Sequence, residues 1–495
     1  MRTRHLPFTA SALAAVLGLA GAPVAHAEAT PQEAARLQAV GETYFGGPPP
    51  GEPGVVAVVP EGDHYRASLD LALLIRRLIT SIPDPKARDI TIEAAPVSVA
   101  LAPRDDGVWR FWDYRLGKFV FAFAGQRTEL VTDGVTFETI FDPATGASPS
   151  MTGGFARISA TSTAREPGKS LAITTENTAE TIALEGSSRP TATPGVLDLA
   201  MQQTVATTRY VFGTTGGTAE GVPDMSLVLT RGRETDVIGL RGYRNAALLD
   251  LWAHLVAHHA PADFTTGQGA LKAKLAAALP IFEEATQKVE AVDFSFESPF
   301  VIAKAEKAAL DVDLAGVTRE GRFGMAVAVA GFQAWSMFAP KWTQKLMPRD
   351  IALAGRVSGY DLATPISAFL DAADFSAQPP LAPEQQARIA ALFLPRGTVE
   401  VVLDGNHLVG PLYDVTLDGR LTAGPGGAKG AVDVRARGLE KVAEHLATEK
   451  DDERARTMAG ALAVARGFAE RKGEDLVWHF DFEGSAVSVN GRPLK

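Results

Sequence analysis

The chain has 495 residues, no cysteine, and 58 acidic against 48 basic side chains, a formal charge of −10. This balance disfavours the polyanionic backbone of nucleic acid and, on average, anionic membrane surfaces as partners, although a local basic patch escapes the average. Without cysteine there is no disulfide framework, no thiol nucleophile and no lipidated cysteine, and a chain this long can bury a substantial core without staples.

Residues 1–27 read as a secretory signal peptide. Arg2 and Arg4 form a basic start, 8–19 an apolar core, and Ala25 and Ala27 the small residues of a cleavage site before Glu28. Export to the periplasm is therefore expected. No other run approaches the roughly 20 apolar residues of a membrane span, so stable transmembrane insertion is not expected. Residues 28–53 read as an N-terminal helix, 31–44, and a Pro/Gly linker, GGPPPGEPG.

The remainder divides into two β-rich lobes, 54–290 and 291–495, similar in rhythm but without a demonstrable repeat. In the first lobe, Leu71, Leu73, Leu74 and Leu78 support a helix over 68–81. KFVFAFAG sets Phe119, Phe121 and Phe123 on one strand face, and GVTFETIFDPATG alternates in the same way around Phe137. Residues 177–211 carry the Thr/Ser-rich pattern of strands with one solvated face. Helices are expected at 244–259 and 268–289, a pair that closes the lobe.

In the second lobe, helices at 364–373 and 384–394 flank the linker SAQPPLAP, and 439–471 is helical. VEVVLDG, YDVTLDGRL and VWHFDFEG alternate with period two. The Leu-Asp-Gly of the first two, like Val-Ser-Gly near 358, reads as a tight turn. The fold class is α+β: large curved antiparallel sheet built from successive hairpins, covered on one side by helices. The helices interrupt the strand series too often for an outer-membrane barrel.

ESPFVIAKAEKAALDVDL, GFQAWSMFAP, MPRDIALAGRVSGYDL and EDLVWHFDFEGSAVSVNGRPLK, all within 297–495, resemble domain-of-unknown-function family 2125 of proteobacteria. Its members are typically exported and β-rich, and they end in a hairpin with an Asn-Gly turn. The resemblance implies a location and a fold style. It implies no activity, and no catalytic residue carries over from it.

The sharpest chemical candidate is LWAHLVAHHAPAD, 251–263. Asp250, His254 and His258 share a helix stripe at i, i+4 and i+8, and imidazole suits zinc, copper or nickel. However, Leu255 stands where a general-base glutamate belongs, and Asp250 lies about 12 Å from His258 along the axis. The better reading is a covering helix whose underside is Leu251, Trp252 and Leu255, with the histidines on a pH-sensitive edge. EPGKS, 166–170, lacks the first glycine of a phosphate loop because Thr163 occupies it, and GPGGAKGA near 424 reads as a hairpin loop. Ser358 lacks nucleophile-elbow spacing. Asp311 and Asp313 alternate along a strand without the glycine and glutamate of a calcium loop.

No catalytic, cofactor or metal residue is therefore assigned. The expected function is a non-enzymatic periplasmic protein that binds a lipid, another apolar ligand or an envelope partner on its curved sheet. The alternative is a metal-dependent or serine-type envelope hydrolase.

Overall fold

The computed structural model describes residues 28–80, 89–165, 168–216, 224–258, 266–377 and 379–494. The signal peptide and His259 lie outside the described residues. Strand accounts for 52% and helix for 23%, with antiparallel sheet built from successive hairpins, an α+β fold. The chain forms two compact units. The first runs to Val228 and adds Arg233–Glu283 and Phe369–Ala382; the second comprises Leu229–Gly232, Glu284–Ala368 and Pro383–Lys495.

The first unit is organised around the helix Pro31–Phe45. Thr30 caps it by accepting the Glu33 N–H at 3.2 Å, and Pro31 supplies a fixed φ at the first turn. Its inner face, with Leu37 and Phe45, joins Tyr65, Leu101, Trp109 and Phe111 in the largest core cluster. In Phe119–Phe123 the alternation is present, but Val120 is the buried residue and the phenylalanines are only half-buried. Period two fixes that alternate residues share a face, and leaves open which face meets the core. Three 19-residue strands follow, Ala147–Arg165, Ala172–Pro190 and Leu197–Thr215. Gly154 is required where the first two pair, because a Cβ there would lie 1.9 Å from the Ile182 carbonyl oxygen.

The expected helix over 268–289 is corrected. It spans only Gln268–Ala278, and a strand occupies Glu284–Glu297. Pro280 has no N–H to continue the helix. Beyond it Val289 and Ala291 turn inward while Lys288 and Glu290 stay exposed, which is strand periodicity.

The second unit is an antiparallel meander. Glu284–Glu297, Val301–Ala315, Gly321–Ala330, Asp350–Tyr360, Val399–Val409, Asp414–Gly424, Gly427–Arg437, Asp475–Gly484 and Ala486–Val489 pair in that order. The helix expected over 439–471 is two helices, Leu439–Thr448 and Glu453–Phe468. Asp452 breaks the run by accepting the N–H groups of Arg454 and Ala455, starting the second helix afresh.

The Leu-Asp-Gly turns are likewise corrected. Asp404-Gly405 forms a bulge inside Val399–Val409, and Asp418-Gly419 lies in mid-strand. Gly405 adopts φ +71 at the bulge, and its N–H reaches Asp418 Oδ1 at 2.9 Å. Buried Asn406 then substitutes for lost ladder bonds. Its Oδ1 accepts the Ala354 N–H and its Nδ2 donates to the Ala354 carbonyl. No helix among the described residues is long and apolar enough to cross a membrane.

Candidate functional site: an open apolar sheet face

In an antiparallel ladder, directly paired residues project to the same side. Following the register across the second unit therefore identifies one face. One rung runs Val312, Met325, Gly355, Leu403, Gly419, Val432 and Phe480. The next carries Leu314, Phe323, Val357, Val401 and Leu421, and on the other side Leu310, Val327 and Leu353 pair in turn. Apart from Gln287, which pairs with Val312 on the edge strand, these rungs are apolar.

Burial along this face is uneven. At the C-terminal end it is covered: Val432 is 8% exposed and Val489 2%. Leu439, Phe468 and Ala469, on or beside the two helices, pack against Ala436, Leu476 and Trp478. The Trp478 indole N–H donates to the Ala465 carbonyl at 2.8 Å, fixing the second helix onto the sheet. Asn490, in the Asn-Gly turn near the end of the chain, donates to the carbonyls of Phe468 and Val477, tying that hairpin to the end of the same helix. Towards the other end the cover stops. Phe323 is 39% exposed, Met325 47% and Leu353 50%. Gly355, beside Met325, contributes no side chain, so the rung has a gap at that strand.

The opposite face is polar. Asp311, Asp313 and Arg356 border a recess of about 310 Å³ floored by Gly324 and Ala354. Arg322 neutralises part of this face by pairing with Asp313 at 2.9 Å and with Glu284. Ser358 sits in a strand, in register with Arg322 and Glu400. The two faces thus differ sharply in chemistry, and only the apolar one is continuous.

The histidine stripe of 250–258 does not assemble a metal centre. Asp250 is paired with Lys274 at 2.6 Å. The His254 and His258 rings stack, centroids 4.3 Å apart, and His258 Nδ1 contacts the His254 carbonyl at 3.0 Å. No cluster of three or more potential ligands occurs among the described residues. The helix Asn245–Ala257 buries no residue fully, and Trp252, expected on its underside, is 43% exposed. Its indole N–H donates to the Tyr44 carbonyl at 2.8 Å, so this helix leans on the N-terminal helix rather than covering the sheet with Trp252.

The remaining described histidines have local partners. His64 contacts Asp63 and Glu61, His407 contacts Asp414, and His445 contacts the Trp342 carbonyl. His479 lies between Asp433 (2.8 Å) and Asp481 (3.1 Å), and the hydrogen bond to Asp433 leads in raising its pKa above the ordinary imidazole value. Tyr114 is pushed up to about 12 by burial, with its hydroxyl donating to Thr139, as suits a core residue. The open face was legible in the sequence only as alternation, because its extent depends on where the covering helices stop. No family model, curated protein or solved structure matches the chain.

Proposed function

We propose that the open part of the second unit's apolar face binds a lipid acyl chain or a similar apolar ligand, and that the protein acts without catalysis. The observation carrying this reading is a continuous apolar face whose helical cover ends before Phe323, Met325 and Leu353. Leaving such surface exposed is unfavourable by itself, and exposed apolar surface of this kind marks an interaction site. Methionine at the centre of the exposed stretch suits a flexible occupant, since its unbranched side chain adapts to irregular partners.

Export to the periplasm, and kinship with family 2125 over 297–495, belong to the same proposal. They place the face where acyl chains are abundant. Native mass spectrometry and lipid extraction of protein purified from the periplasm test it directly. Co-purifying lipid, and saturable binding of a fluorescent fatty acid, are expected. Lipid-free protein that also fails to bind the fatty acid refutes the reading.

A further inference from the structure

A second apolar feature stands apart from the sheet face. The short strand Gln333–Ser336 pairs with the start of Val301–Ala315, setting Trp335 opposite Ile302. The loop that follows projects Met337 and Phe338, 56% and 69% exposed, the latter with its ring 5.5 Å from that of Phe300. The loop is braced. The Met337 N–H reaches the Phe300 carbonyl at 3.0 Å, and the Phe338 N–H reaches Ser336 Oγ at 3.2 Å. Immediately behind it Trp342 is buried against Val442, Leu446 and Ala455, and its indole N–H donates to Asp452 at 2.9 Å. One aromatic thus anchors the segment while its neighbours are held outward with no interior to fill.

The charge carried by this segment is the reverse of the chain's average. Residues 331–349 contain Lys341, Lys345 and Arg349 and no carboxylate, in a protein with ten more acids than bases. These three, and Lys304 beside Gln333, are exposed, and no ion pair among the described residues engages them. The nearby carboxylates are Glu297, Glu306, Asp350 and Asp452; Asp350 Oδ1 accepts the Gly331 N–H at 3.0 Å, and Asp452 is engaged by the Trp342 indole N–H and caps a helix through the N–H groups of Arg454 and Ala455. Exposed aromatic and methionine side chains beside unpaired cations match the interface of a bilayer, where rings sit at headgroup level and lysines reach lipid phosphates.

We infer that the 300/335–338 tip docks the protein onto an anionic phospholipid surface, with Met337 and Phe338 inserted and Lys341 and Lys345 on the headgroups. This is peripheral attachment, and it does not depend on the sheet face binding a ligand.

Co-sedimentation of the mature full-length chain with vesicles of phosphatidylcholine, with and without phosphatidylglycerol, tests it. Binding to the anionic vesicles is expected, weakening with salt. Lys341→Ala with Lys345→Ala lowers the affinity roughly 30-fold, at about fivefold per cation. Met337→Ser with Phe338→Ser lowers it on the order of 100-fold. Val464→Ser, an exposed apolar residue elsewhere, leaves it unchanged. The tip variants retain binding of a soluble fatty-acid probe, which separates this inference from the proposed function. No sedimentation of the wild type, equal binding to neutral vesicles, or full binding by Met337→Ser/Phe338→Ser overturns it. So does a dimer dissociated by those substitutions without vesicle binding, which assigns the tip to a second copy.

Discussion

Replacing Phe323, Met325 and Leu353 together with threonine distinguishes a ligand-binding face from surface that is merely uncovered. Complete burial of such side chains contributes about 1.5–3 kcal/mol each. Covering the exposed fractions of these three, 39%, 47% and 50%, therefore contributes roughly 2–4 kcal/mol to an occupant's binding. Threonine keeps a methyl group and a β-branched fit to the strand, so part of that is retained, and because half or more of each side chain is already buried, folding is weakened by roughly 1 kcal/mol per site. The expected result is acyl-chain binding weakened at least about tenfold, since each 1.4 kcal/mol is tenfold. Titration of delipidated protein with a fluorescent fatty acid reads the affinity, and urea unfolding establishes that the fold is intact. Affinity within about twofold of wild type, in protein that still unfolds in one cooperative urea transition, refutes the assignment of this face.

Protonated His479 between Asp433 and Asp481 stabilises the fold below the ordinary imidazole value of about 6.5, and that contribution disappears as pH rises through its raised folded value. His479→Gln therefore flattens the decline of the urea midpoint from mildly acid to mildly alkaline pH; an unaltered slope contradicts the linkage. Trp478→Phe, which deletes the bond to the Ala465 carbonyl, costs about 1 kcal/mol. Trp478→Ala costs about 3–5 kcal/mol by chemical denaturation, and near-equal values for the two refute the packing role. Gly154→Ala forces a Cβ onto the Ile182 carbonyl and lowers first-unit stability by about 3 kcal/mol in thermal melts. His254→Ala leaves zinc, copper and nickel contents of the purified protein unchanged, because Asp250 is committed to Lys274. Stoichiometric metal lost on that substitution restores the hydrolase reading.

Fold class followed from periodicity because antiparallel strands with one buried face write their alternation into consecutive residues, as in VWHFDFEG and YDVTLDGRL. The errors arose where a local signal had two physical meanings. Ala285 to Val289 fits a helix as readily as a strand until Pro280 and the pairing with Leu310 decide it. Asp404-Gly405 has turn chemistry, yet the positive φ serves a bulge that Asn406 then repairs. The histidine stripe was read correctly in spacing, but the partner that occupies Asp250, Lys274, comes from the neighbouring helix. Trp252 was assigned to the sheet because an apolar stripe shows that a helix packs against something, without specifying what.

The extent of the open face is set by helix length rather than by any residue upon it. The helices Leu439–Thr448 and Glu453–Phe468 secure themselves through Trp342 and Asp452 and, on the C-terminal strands, through Trp478. At about 1.5 Å per residue they extend roughly 15 and 24 Å. Six inter-strand spacings of about 4.8 Å separate Val312 from Phe480 along the shared rung, a width of roughly 29 Å. A single extension of either helix across the strands could have closed the remainder, since the apolar rungs to receive it already exist. Instead, Gly355 leaves a gap in the same rung that carries Met325. A fixed helical cover favours a complementary side chain in such gaps, of which Gly355 leaves one, because voids forfeit packing contacts. A flexible, exchangeable chain tolerates them, which is why the uncovered stretch reads as a seat for a ligand and not as a defect in the fold.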